Sequence, residues 1–285
     1  MIDAEAIIIN CSTRELSLLA LASALRHASL PVTMIDCEST DRSVPFFRRI
    51  AETLPFELRQ MPLARHGDTL DRLFRETKRD ALLLIDSDAE ILRSDLVPAM
   101  IEGLGERAYG SGFLHAGQWL GANHLVEGEI GYYAPRMWIP CTLLRVAPVR
   151  AALAAGASFR DRLVGNELPR LPRLAWLLAQ RFRVPGLRAI TLDALRPLRR
   201  EYFGVRPNYL FFDTGAAMHR YLVDTTRLSF AALSDDMWAT GVRHEHGITR
   251  RQLRRGMRNA ADVERARAAA IERAKSEYGL TVPDV

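Results

Sequence analysis

The sequence predicts an α/β protein with a mainly parallel sheet flanked by helices, and three observations lead there. Apolar, strand-like runs alternate with helical patterns through the first hundred residues, the rhythm of βαβ units. Three of those runs end on a polar residue, Asn10, Asp36 and Asp86. The chain has 285 residues with 48% apolar side chains, enough to bury a sizeable core.

The elements follow in order. Ala6-Ile7-Ile8-Ile9 is a short β-branched run, expected as a buried first strand ending at Asn10. Ser12 or Thr13 can cap the next helix, Glu15 sits in its first turn, and apolar residues fill Leu16 to Leu25. Pro31 restarts the chain as a second strand, Val32 to Ile35, ending at Asp36. A third strand is expected around Phe56 to Arg59. A helix from Thr69 to Lys78 gathers Leu70, Leu73, Phe74 and Thr77 on one face. Ala81 to Ile85 is the most apolar strand and ends at Asp86. In an open parallel sheet, ligands bind outside the carboxyl ends of the strands, so Asn10, Asp36 and Asp86 share one functional rim.

Beyond Leu96 the periodic signals thin out. Gly110 to Gly131, rich in Gly, His and aromatics, reads as loop and hairpin, and Trp138 to Val146 as a strand. Residues 160–200 hold ten arginines against three acids, broken by Pro169, Pro172, Pro185 and Pro197, and read as a basic helical insertion. Asn208 to Phe212 is a strand ending at Asp213, followed by a helix from Ala216. A final charged helix is expected from Asn259 to Glu277.

Composition narrows the functional classes. The 26% charged and 48% apolar balance excludes a disordered or collagen-like chain. Lys+Arg outnumber Asp+Glu by 39 to 34, and the basic residues are nearly all arginine, which favours an anionic partner. Three cysteines (Cys11, Cys37, Cys141) without CxxC spacing point to neither a zinc site nor a disulfide framework, and a reducing cytoplasm suits them. The first ten residues carry acids where a signal peptide has basic residues, and no apolar stretch reaches the roughly 20 residues of a bilayer crossing. The expectation is a soluble protein, or one resting on a membrane surface.

The sharpest chemical feature is Asp86-Ser87-Asp88, directly after a buried strand. Two carboxylates at i and i+2 can face one hard cation, Mg²⁺ or Mn²⁺, which takes its remaining ligands from phosphates and water. The alternative is a turn with Asp86 capping a helix and Asp88 solvated. Asp36, in Asp36-Cys37-Glu38-Ser39-Thr40-Asp41, can accept from a base N–H or a ribose hydroxyl, or simply close an Asx turn. His244 and His246, at i and i+2, can add imidazole to a metal site, or belong to an Arg-rich surface loop. Trp119, Tyr132, Tyr133 and Trp138 suit either sugar rings or the core.

Taken together, these segments resemble a GT-A glycosyltransferase of the family 2 type. The match runs through Ile7 to Leu25, Ile35 to Asp41 (a "VDDGSTD"-like signature with Glu38 at the usual Gly), Ala64-Arg65-His66-Gly67-Asp68, and Leu84 to Asp88 as the metal motif. It covers about the first 95 residues in order. His244-Glu245-His246-Gly247-Ile248-Thr249 further resembles a late "H-x-x-G-x-S" stretch in which a His completes the metal site.

The resemblance implies a Rossmann-like GT-A domain over 1–250. Its residues 1–100 form a nucleotide-sugar-binding half, and residues 101–250 an acceptor half with the basic insertion at about 155–200. A helical extension spans 251–285. Asp36 is implied at the nucleotide base, with Cys11 and Ser12 bordering it. Asp68 falls near the ribose or donor sugar, and Asp86, Ser87 and Asp88 at the diphosphate. The metal ligands are Asp86 and Asp88, joined by His244 or His246. Asp213 stands where inverting members carry a general base, unless it is a helix N-cap; Asp235 or Asp236 is the rival.

The implied activity is metal-dependent transfer of a sugar from a nucleotide-diphosphate donor to a hydroxyl acceptor, saccharide or lipid-linked, with inversion, in cell-surface polysaccharide or glycolipid synthesis. No nucleic-acid partner is implied. The basic stretch admits a peripheral contact with the inner membrane face, and the oligomeric state stays open. A sugar-phosphate nucleotidyltransferase is the alternative enzyme, but the Gly-rich, Arg-containing loop it needs is missing after Ile9. A non-catalytic basic module binding membrane or nucleic acid would rest on the arginines alone.

Overall fold

The computed structural model describes residues 2–120, 131–163, 209–244 and 260–283. His246 and most of the basic insertion lie outside them.

The main sheet has seven strands. Ala4–Asn10 (β1), Val32–Cys37 (β2), Glu57–Met61 (β3) and Ala81–Asp86 (β4) run parallel, in the spatial order β3-β2-β1-β4. Arg136–Arg145 (β9) pairs antiparallel with β4 on one side and with Ala108–His115 (β6) on the other, and Ser229–Ala232 (β12) closes that edge parallel to β6. Every strand but β9 therefore runs the same way.

Among the described residues there are two smaller sheets as well. Ala89–Ile91 (β5) pairs antiparallel with Val242–His244 (β13). Gln118–Leu120 (β7), Gly131–Tyr133 (β8), Tyr209–Phe212 (β11) and Arg162–Leu163 (β10) form the other, in the order β10-β11-β8-β7.

The sheet is buried on both faces, which is why β1 and β4 read as unbroken apolar runs. Ala6 and Ile8 of β1, with Leu83 and Ile85 of β4, face one core, built with helices Arg14–His27 (α1), Ser43–Ala51 (α2) and Leu96–Gly103 (α4). Ile7, Leu82 and Leu84 face the other, with His66–Glu76 (α3), Val146–Ala154 (α5) and Ala216–Arg220 (α6). A wide π-type turn, Tyr221–Thr225, continues α6, and Asp235–Gly241 (α7) leads into β13. Ala260–Ser276 (α8), expected as an extension beyond residue 250, places Ala270 and Ala274 in the same core as α1. That docking buries α1 almost all round. Among the described residues no helix is long and apolar enough to cross a membrane.

Three local expectations change. The region from Gly110 is no loop at its start: β6 lies between β9 and β12. Its glycines allow close packing, since a Cβ on Gly110 would stand 2.5 Å from a Leu144 methyl and 2.9 Å from the Leu143 carbonyl oxygen. The hairpin itself survives downstream as β7 and β8. At the start of α1 neither Ser12 nor Thr13 caps with its hydroxyl. Thr13 Oγ1 instead donates to Asn10 Oδ1 (3.0 Å), which also accepts from Thr13 N and Ser17 Oγ. Asp86 caps no helix either, because the chain after Asp88 is β5.

Behind β6, Tyr109 and His219 are both buried and hydrogen-bonded to each other. Burial holds the Tyr109 hydroxyl protonated and pulls His219 from its ordinary 6.5 down to about 4, so the neutral imidazole accepts a hydrogen bond from the Tyr109 hydroxyl. Because the folded state resists protonation here, the stabilising effect is complete above about pH 6.5. It is lost as the pH falls towards 4, by on the order of 3 kcal/mol. His219→Gln is expected to flatten this part of the stability profile. Urea unfolding at pH 7 and pH 4.5 checks it: equal losses in parent and variant would clear His219 of the effect.

Candidate metal and donor site

In this sheet β1 has β2 on one side and β4 on the other, so the strand order reverses between β1 and β4. That reversal opens a crevice at the carboxyl ends, where ligands of open α/β sheets bind. The register sets Asn10 beside Asp36 and Ile9 beside Asp86.

The turn from β4 into β5 presents Asp86 and Asp88, with Ser87 buried between them. Pairing of β5 with β13 aligns Ala89 with His244, and the imidazole arrives with Nε2 at 3.2 Å from Asp88 Oδ1. One ligand atom each from Asp86, Asp88 and His244 lies within 4.8 Å of the others. The His244 ring stands edge-on to Trp138 at 5.0 Å, and Trp138 packs in turn against Trp238 and Phe113. This aromatic wall fixes the imidazole from the side. Trp138 thus belongs to the core while still bordering the cavity.

A cavity of about 530 Å³ opens over these groups. Its lining includes His66, Asp86, Asp88, Gln118, Tyr133, Arg136, Trp138, Asp213 and His244. Asp213 enters from the end of β11, where its Oδ1 accepts from Thr214 N at 2.9 Å and its Oδ2 lies 3.4 Å from Arg136 Nε. Gly215, not Asp213, holds the N-cap position of α6. The Arg136 guanidinium spreads over the Tyr133 ring at 5.3 Å.

Three carboxylates thus converge in a confined space. Asp86 feels it most: burial lifts its carboxyl above the usual range, Asp88 and Asp213 lift it further, and His66 and His244 pull the other way. Its side chain nonetheless keeps 28% exposure towards the opening, with His66 Nε2 at 3.8 Å. A divalent cation answers this charge pattern. Ligand bonds of about 2.1–2.3 Å put donor atoms roughly 3 Å apart when adjacent and up to about 4.6 Å apart when opposite, a range the trio fits. Two carboxylate oxygens and one imidazole nitrogen suit Mn²⁺, or Mg²⁺ completed by waters.

The remaining sequence-predicted residues fall in three places. Asp36 is 0% exposed and ties the rim together. Its Oδ2 accepts from Asn10 Nδ2 at 2.7 Å and its Oδ1 from Ser39 N at 3.1 Å. Ser12 N donates to Ser39 Oγ, and Thr40 N donates back to Ser12 Oγ, so the turns after β1 and β2 are stitched reciprocally. Cys11 lies half-buried in the same turn, its thiol pushed up by burial and by Asp36 and Asp41. Asp68, in the first turn of α3, pairs with Arg160 and lines a separate groove beside Arg72 and Arg75. Asp236 stands exposed in the first turn of α7, outside the cavity, while Ser234 Oγ caps that helix by accepting from Met237 N. Asp235 shares that turn and is also exposed.

His66 and Arg136 are the cavity residues that sequence reasoning passed over. His66 stands inside the Ala64-to-Asp68 stretch, where the acid drew the attention, and nothing in the sequence near Arg136 announces Asp213, 77 positions away.

No family model and no curated protein matches the chain. Among solved structures it is similar to TarS residues 1–349 from S. aureus in complex with UDP-GlcNAc, at 14% identity and a TM-score of 0.39, over 55% of this chain and 48% of that one. The crystal structure of S. aureus TarS 1–349 is likewise 14% identical, with a TM-score of 0.38 over 55% of this chain and 50% of that one. In these two alignments the chain spans about half the length of TarS 1–349. It is also similar to the mannosyltransferase PcManGT from Pyrobaculum calidifontis in complex with GDP-Man and Mn²⁺, at 15% identity and a TM-score of 0.42, over 98% and 82%.

The close approach of α3 to residues 159 and 160 fixes His66. A Cβ on Gly67 would stand 2.6 Å from the Arg160 backbone and 2.7 Å from that of Phe159. Gly67→Ala is therefore expected to cost about 1–3 kcal/mol and to draw His66 away from Asp86. Urea unfolding measures the first, and an unchanged midpoint would show that the helix can shift freely.

Proposed function

We propose that this protein is a metal-dependent glycosyltransferase of the GT-A type, moving a sugar from a nucleotide-diphosphate donor onto a hydroxyl acceptor. One observation supports it above the rest: Asp86, Asp88 and His244 converge in a cavity at the strand-order reversal, and a further carboxylate, Asp213, opens into the same cavity. Carboxylates alone repel a diphosphate, so a site of this charge takes one only through a cation. Asp86, Asp88 and His244 would hold that cation, which would supply Lewis-acid charge to offset that of the departing diphosphate.

The chain's own groups account for the rest. Asp213 is the general base. Arg136 braces its Oδ2 and Thr214 N holds its Oδ1, which limits its rotation. As the acceptor oxygen forms its bond to the anomeric carbon, its proton passes to Asp213, and the bond from that carbon to the diphosphate oxygen breaks on the opposite face. Attack from the opposite face inverts the configuration. His66 steadies Asp86 from the α3 side, and Tyr133, flattened under Arg136, offers a planar wall for a sugar ring. The nucleoside belongs on the neighbouring rim of Cys11, Ser12 and Asp36. There the buried Asp36 acts by shaping the turn, since both of its oxygens already accept hydrogen bonds. A cytoplasmic site beside an anionic membrane face, contacted by the arginine-rich stretch, accords with a lipid-linked acceptor.

The turn after β1 distinguishes this reading from a nucleotidyltransferase. Cys11-Ser12-Thr13 is closed by side-chain hydrogen bonds and has no glycines to cradle a triphosphate.

Asp88→Ala is expected to abolish Mn²⁺-dependent binding of nucleoside diphosphates. Calorimetry with UDP and GDP, with and without Mn²⁺, reads this directly, and metal-independent binding in the parent would sink the reading. Asp213→Asn is expected to lower kcat by about 10²–10⁴-fold while the Kd for donor nucleotide holds. Normal turnover in that variant would remove Asp213 from its role.

A further inference from the structure

The ligands Asp88 and His244 meet only because β5 lies against β13, and this ribbon has three residue pairs. A two-stranded ribbon so short is not stable alone. One face of it is held by an ionic cluster around one buried carboxylate. Glu90, in the middle of β5, is 3% exposed and stands opposite Arg243 of β13. It accepts from Arg273 of α8 and, at 3.1 Å, from the Tyr278 hydroxyl. Glu277 joins the two arginines, with Oε1 at 3.2 Å from Arg273 Nε and Oε2 at 3.5 Å from Arg243 Nη1. Arg243 Nη1 lies 3.9 Å from Glu90.

We infer that this cluster is a clasp through which the C-terminal helix sets the geometry, and hence the affinity, of the metal site; the inference rests on the metal reading above. Glu90 and Arg273 are positioning residues. Each lies on a segment that must be in place before His244 can reach Asp88: Glu90 two residues beyond Asp88, Arg243 one residue before His244, and Arg273 on the helix that locks both. A buried carboxylate tolerates its surroundings only while its cationic partners remain, so β5 cannot slide along β13 without stranding Glu90. Register between the strands, and with it the distance from His244 to Asp88, follows from where α8 docks.

The helix has a second, separate anchor, which gives the control. Arg267 bonds Glu15 of α1 at 2.9 Å, away from the ribbon. The test is Mn²⁺ binding to the full chain, without nucleotide, followed by electron paramagnetic resonance of free Mn²⁺, with circular dichroism confirming the fold. Glu90→Gln and Arg273→Met are expected to weaken Mn²⁺ binding by roughly 10–100-fold, the range seen when groups behind metal ligands are changed. Arg267→Met, which loosens the same helix at its other anchor, is expected to leave Mn²⁺ affinity within about twofold of the parent while lowering the melting temperature. Where Arg273→Met does not fold, Arg243→Met removes the more exposed arm of the cluster and is expected to weaken binding in the same direction. Parent-like affinity in the folded cluster variants would overturn the clasp while leaving the metal site standing. An equal loss in Arg267→Met would reduce the effect to general loosening and overturn it too. A parent that binds no Mn²⁺ would sink the metal reading and this inference together.

Discussion

The rim of this protein is organised around electrostatic crowding: Asp86, Asp88 and Asp213 share one cavity, where burial and the other two carboxylates make ionisation of Asp86 harder. The surroundings respond to it. Two imidazoles and a guanidinium are drawn in, His66 and His244 towards the pair at the end of β4 and Arg136 towards Asp213. The aromatic wall of Trp138 and Trp238 keeps one side dry, which strengthens every charge–charge term within it.

Two kinds of scaffold hold the crowd in place. At the ends of β1 and β2 the connection is local: Asn10, Asp36, Ser39 and Ser12 knit adjacent turns by short polar side chains, and the result is a rigid lip. Around Asp88 and His244 it is long-range, since residues far apart in the chain are joined by a three-pair ribbon. The first fixes itself as the parallel strands assemble. The second depends on distant segments arriving.

This difference explains how much could be read from the sequence. β1, β2 and β4 were legible because burial on both faces demands uninterrupted apolar residues, and the acids at their ends follow from the direction of a parallel sheet. Asp86 and Asp88 stand out for the same reason. β6 was not legible, because Gly110 serves contact with Leu144 yet reads as a loop residue. α2 left no expectation either, although Phe46, Phe47 and Ile50 bury one face of it. β5 and β13 have no local signature at all, being strands only by virtue of each other. Hence His244 could be set beside Asp86 and Asp88 through residue type and the family resemblance, but the strand pairing that carries it to Asp88 could not be read. Asp68 and Asp236 show the converse: an acid at a promising position in the chain lies with Arg160 in one case and exposed on α7 in the other.

The near-complete enclosure of α1 bears on biosynthesis. α1 leaves the ribosome long before residues 260–276, which pack into the same core beside it. Until those residues emerge α1 lacks part of its cover, and a nascent chain in this condition is a natural client for chaperones. Full shelter for this helix thus waits on a segment more than two hundred residues downstream.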